Sequence, residues 1–102
     1  MKINFDSTIT DLAGNPIQID DKGVKRPCTL RDVCTNALLL ETAKSQGIEG
    51  KEKVRRFRLA DKIFGTKEPI QIEAEDIVLL KQLVAEAYAP LVTGRSWDLL
   101  ET

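Results

Sequence analysis

The sequence predicts an α+β domain that is mainly helical, with a small two- or three-stranded sheet packed against three to four helices. Two observations carry this. Residues 28–102 hold four stretches with apolar positions at spacings of three and four, each opened or closed by a residue that favours a helix end. Isoleucines alternate with polar residues in the first twenty positions and again at 69–73, the pattern of half-buried strands.

Taken in order, Ile3 and Phe5 alternate with Lys2, Asn4 and Asp6, and Ile17 and Ile19 alternate with Gln18 and Asp20. Ala13-Gly14-Asn15-Pro16 between them is a turn signal, so strands are expected near 2–8 and 16–20. Asp20-Asp21-Lys22-Gly23 reads as polar loop, and Pro27 closes a β segment spanning 1–27. The first helix is expected at 30–43. Thr29 and Asp32 make a box-like cap, Cys28 and Val33 are spaced for a hydrophobic staple, and Leu30, Val33, Cys34, Ala37 and Leu38 form one apolar stripe. Ser45-Gln46-Gly47 ends it.

The second helix is expected from Lys51 to Phe64, with Val54, Phe57, Ala60, Ile63 and Phe64 as its buried face and Gly65 at the left-handed position after its end. Pro69-Ile70-Gln71-Ile72-Glu73 nearly repeats Pro16-Ile17-Gln18-Ile19-Asp20, and the two pieces are expected to be neighbours in one sheet. The third helix, Ala74 to Tyr88, is apolar over a wide arc and is expected at the domain centre. A last helix follows from Pro90, favoured at a first helical position, to Glu101, weakened by Gly94 by about 1 kcal/mol relative to Ala. The expected core is Ile17, Leu30, Val33, Leu38, Phe57, Phe64, Ile77, Leu80, Leu83 and Val84.

Composition bounds the function. At 102 residues the chain fits a single domain, 1–102, and 42% apolar with 30% charged residues is a folded composition. No apolar run approaches the ~20 residues of a membrane span, and the N-terminus lacks a signal-peptide core, so a cytoplasmic protein without membrane partners is expected. There is no histidine, which removes the commonest general base and metal ligand. Two cysteines, Cys28 and Cys34, are too few for a disulfide scaffold or a zinc site. Neither a phosphate-binding glycine loop nor a nucleophile elbow is present. The carboxylates Glu73, Glu75 and Asp76 are accounted for by the start of a helix, where negative charge is favoured. Catalytic residues, metal ligands and cofactors are therefore expected to be none, and the protein is read as a non-enzyme.

Charge supplies the contrast. The net charge is -1, yet residues 51–67 carry seven cationic and two acidic side chains, and residues 68–102 carry two and seven. Lys51, Arg55, Arg58 and Lys62 recur at helical spacing and make a basic stripe. Such a row can follow phosphates, but base reading would need polar amides or aromatics beside it. A solvated face supported by Glu52–Arg56 is the simpler reading. Trp97, with Leu100 beside it on a terminal apolar segment, reads first as an anchor for the last helix and second as a binding hot spot.

From Cys28 onward the chain resembles a group of short proteins encoded in tailed-phage and prophage genomes. The resemblance lies in Thr29-Leu30-Arg31-Asp32-Val33, Ala37-Leu38-Leu39, the basic helix around Lys53 to Lys62, Ile72 to Lys81, and above all the ending Ala89 to Glu101. It implies assembly chaperones, adaptors or inhibitors of a host machine, located in the host cytoplasm or the virion, and transfers no site residue.

Together these readings point to a protein–protein interaction module that meets another protein or self-associates. The candidate contact residues are Lys51, Arg55, Arg58, Lys62, Trp97 and Leu100. The alternative is a nucleic-acid-associated regulator or host-machinery inhibitor acting through the basic stripe.

Overall fold

Four helices and two antiparallel strand pairs make up the fold, seen in a computed structural model that describes residues 1–40 and 47–101. The elements are β1 (Lys2–Ile3), β2 (Gln18–Asp21), β3 (Val24–Pro27), α1 (Leu30–Leu39), α2 (Gly50–Gly65), β4 (Ile70–Gln71), α3 (Ala74–Ala87) and α4 (Pro90–Leu100). The mainly helical α+β class holds, with two separate two-stranded sheets in place of one.

The start of α1 forms as its sequence dictates. The Asp32 carboxylate accepts from the Thr29 backbone N–H at 2.9 Å, and the Thr29 hydroxyl accepts from the Asp32 N–H at 3.4 Å. Arg26 at the end of β3 then clamps Asp32 with two hydrogen bonds of 2.7 and 2.8 Å and reaches Asp21 at 3.1 Å. One guanidinium thus fixes the β2–β3 hairpin to the helix N-terminus. All five residues of the expected apolar stripe are buried, as is Cys28. The helix ends at Leu39 with Leu40 as its extended cap, and residues 41–43 of its expected span and Ser45-Gln46 lie outside the described residues.

The strand pairing differs from expectation. Ile70 and Gln71 pair with β1, Ile3 against Ile70, while β2 pairs with β3. The two near-identical Ile-rich pieces are therefore not neighbours. The segment read as polar loop is a hairpin whose central residues, Lys22 and Gly23, both have positive φ (54° and 81°), the twist that suits a two-residue connection. The upstream turn behaves as read: Thr10 bridges Pro16, and the Asp11 carboxylate accepts from the N–H groups of Ala13 and Asn15. Ile3, Phe5 and Ile9 are each essentially buried, so the N-terminal segment supplies part of the main core.

The helix at the centre is α1, which packs against α2, α3 and α4, whereas α3 packs chiefly on α1 and α4. The wide apolar arc of α3 is nonetheless used: Ile77, Leu79, Leu80, Leu83 and Val84 are buried, and Val78 faces out.

The largest correction concerns α2. It meets the core through Leu59, Ala60 and Ile63, while Val54, Phe57 and Phe64 are exposed. Ile17 is only half-buried. At the end of α2, Arg31 of α1 donates to the carbonyl of Ile63 at 3.0 Å and to that of Thr66, and pairs with Asp6. The helix end is held there with Ile63 facing inward and Phe64 outward. Gly65 is the last helical residue and lacks a positive φ, so the expected glycine cap is absent and Arg31 serves the free carbonyls instead.

Arg31→Ala should lower the unfolding free energy by about 2–3 kcal/mol in urea titration, because two carbonyls lose a charged donor; a loss below ~0.5 kcal/mol would refute the capping role. Burial pushes the Asp32 carboxyl up, but the hydrogen bonds from Arg26 and Thr29 outweigh it and hold the group below its ordinary value of 3.8. Its stabilisation is complete above that value and disappears as pH falls through the lower folded value. Asp32→Asn should therefore lose stability near neutral pH and show a shallower decline in acid, read from melting curves across pH.

Candidate functional site

The second helix presents three faces. At ~100° per residue, Leu59, Ala60 and Ile63 point to the core, Phe57 and Phe64 lie within ~20° of each other on a second side, and the basic stripe occupies a third.

The basic stripe is assembled but largely engaged. Arg55 pairs with Asp76 at 2.7 Å and with Glu52 at 3.3 Å, Lys62 donates to the Gln71 carbonyl at 3.2 Å, and Arg56 pairs with Glu52 at 3.4 Å. The Asp76 hydrogen bond, offset in part by desolvation, holds the Arg55 guanidinium further into its charged form. Among the described residues only Lys51 and Arg58 of the stripe make no ion pair or hydrogen bond through their side chains. Glu75 and Asp76 line the same open groove of about 470 Å³, so acid and base face each other there. That accounts for the carboxylates in electrostatic terms: Asp76 joins α3 to α2.

Trp97 and Leu100 part company. Leu100 is 0% exposed and belongs to the core, so it takes no part in any surface. Trp97 is 37% exposed. Its indole N–H donates to the Lys81 carbonyl at 3.0 Å, and the Lys81 ammonium sits 5.5 Å from the ring centroid while pairing with Glu101 at 2.7 Å. Its polar handle is thus spent on joining α4 to α3, while the residue stays partly exposed.

Both cysteines are free and buried. Burial pushes the Cys34 thiol up to about 12 and raises that of Cys28, the opposite of what a thiolate nucleophile requires. No three metal-ligating side chains cluster among the described residues, and none of the helices is long and apolar enough to cross a membrane.

The strongest surface feature is one the sequence did not flag. Phe57 and Phe64 of α2 (57% and 72% exposed) stand beside Leu39 of α1 (61%) and line an apolar groove of about 450 Å³ that Asp61 borders. A hollow of about 180 Å³ continues it past Leu39 and Phe57 to Leu40 and Lys53. Two of the three phenylalanines of the chain therefore lie in solvent on one face. Their signal in the sequence is the breadth of the apolar arc of α2: Val54, Phe57, Leu59, Ala60, Ile63 and Phe64 span more than one packing contact can cover.

The chain matches no protein-family model, no curated protein and no solved structure. The site's chemistry alone therefore bears on function.

In dilute solution Phe57→Ala and Phe64→Ala should change stability by less than ~0.5 kcal/mol, whereas Leu59→Ala should cost about 2–5 kcal/mol. Denaturant titration of the three variants decides it; equal losses would mean that the phenylalanines are packed.

Proposed function

We propose that the chain is a non-enzymatic protein–protein interaction module whose contact surface is the apolar face shared by α1 and α2. The observation that carries this is the exposure of Phe57, Phe64 and Leu39 side by side. Isolated surface apolar residues are ordinary, but clustered aromatics at the mouth of a groove are costly to hydrate and are typical of binding hot spots. As its setting we propose an assembly or accessory role of the kind expected of small tailed-phage and prophage proteins.

The reading as a nucleic-acid-associated regulator or host-machinery inhibitor through Lys51, Arg55, Arg58 and Lys62 has weaker support. Arg55 and Lys62 already serve internal acceptors, which leaves two cations for a partner. Trp97 remains a second contact candidate, since it is partly exposed.

The two readings separate by paired variants. Immobilised wild-type protein should retain a protein partner that Phe57→Ser/Phe64→Ser loses and Lys51→Glu/Arg58→Glu keeps, with both variants folded by circular dichroism. The reverse pattern, with retention of nucleic acid that weakens steeply as salt rises, would overturn the proposal.

A further inference from the structure

The apolar face of α2 is bordered by two charges of opposite sign that no ion pair among the described residues uses. Lys53 precedes Phe57 by four residues and Asp61 follows it by four, and neither pairs with any described residue. At ~100° per residue both lie within ~40° of the Phe57 direction, on opposite sides. This placement has two-fold character. When a second α2 is laid antiparallel on the first and centred at Phe57, Phe57 meets its own copy. Lys53 of each chain then falls opposite Asp61 of the other, twice per pair. Residues seven away from the centre also meet, so Phe64 of each chain lies over Gly50 of the other. A Cβ at Gly50 would have no atom within 4 Å, so the ring has open space to enter.

From this self-complementarity we infer that the α1–α2 face is a homodimer interface, with a second copy of the chain as its occupant. The inference rests on the proposed interaction face and names its partner. A rim of one sign would select an oppositely charged protein. A rim with one charge of each sign in two-fold-related positions selects a copy of itself, and like charges would meet in the parallel arrangement. The net charge of -1 adds little repulsion between copies.

Size sets the strength. The 16 residues of α2 span ~24 Å, and with the flanking edge of α1 about 8–10 Å away the face offers about 500 Å² per copy. The resulting total of about 1,000 Å² meets the lower bound for a specific interface, the size class of transient association.

The test is a charge exchange on the full chain, read by light scattering and sedimentation across concentration. Wild type should pass from 11.4 kDa to twice that mass. Lys53→Glu and Asp61→Lys alone should each weaken the dimer by about 10-fold or more, and Lys53→Glu/Asp61→Lys should recover it to within about 3-fold. Phe57→Cys should give a disulfide-linked dimer under mild oxidation, since helices in contact bring facing Cα atoms within bridging range, while Val78→Cys on α3 should not. A mass of 11.4 kDa at every concentration overturns the inference, as does failure of the double variant to recover what the single variants lose. A monomer that still retains another protein through Phe57 and Phe64 would overturn the homodimer and leave the interaction face standing.

Discussion

The guanidinium of Arg31 ties three separate parts of the chain to one another. It projects from the first turn of α1, pairs with Asp6 after β1, and donates to carbonyls at the C-terminal end of α2. Its own backbone N–H donates to the Phe5 carbonyl at 2.8 Å. An α-helix leaves its last carbonyls without internal donors, and α2 ends without a glycine in the left-handed conformation to turn the chain back upon them. The planar fork of an arginine can serve several acceptors at once, which a lysine cannot. This contact at one end and Arg55–Asp76 along its flank hold α2 in the rotation that buries Leu59, Ala60 and Ile63. That rotation decides which of its apolar residues go inward.

The strands are minor in extent and large in consequence. The N-terminal segment makes one short pairing with β4 and single bridges at Thr8 and Thr10, yet it lays Ile3, Phe5 and Ile9 onto the helices. Arg95 of α4 fastens the same segment from the far side, donating to the carbonyls of Thr10 and Asp11 at 3.2 and 2.9 Å. Two arginines on different helices thus hold an N-terminal stretch whose sheet hydrogen bonding alone would be marginal.

Local signals were legible in the sequence. The Thr29–Asp32 box, the Pro90 start, the apolar stripe of α1 and the bounds of α3 and α4 all depend on residues within one or two turns of each other. The pairing of β4 with β1 was not legible, because Pro16–Asp20 and Pro69–Glu73 have the same pattern and the choice of partner is made by tertiary packing. The hairpin at Lys22-Gly23 was missed because β3 is short, charged and ends in proline. The face of α2 failed for a further reason. Periodicity reports an apolar arc, and this arc is wider than one contact, so it could not show that Leu59 would be buried in place of Phe57. The candidate site was hidden by the same ambiguity.

Charge marks one flank of α2 and exposed aromatic rings mark another. The basic stripe stands out in a linear count because its acidic counterparts lie far along the chain. Folding brings Asp76 against Arg55 and the Gln71 carbonyl against Lys62, and much of the contrast is absorbed in joining α2 to the elements after it. Besides Lys51 and Arg58, folding leaves unmatched on α2, among the described residues, a less conspicuous set: Lys53, Asp61 and two aromatic rings on a single side. Residues that the fold has already used carry little information about partners. The sparse set it leaves unused is where an interaction surface is to be sought, and Phe57 sits at the middle of that set.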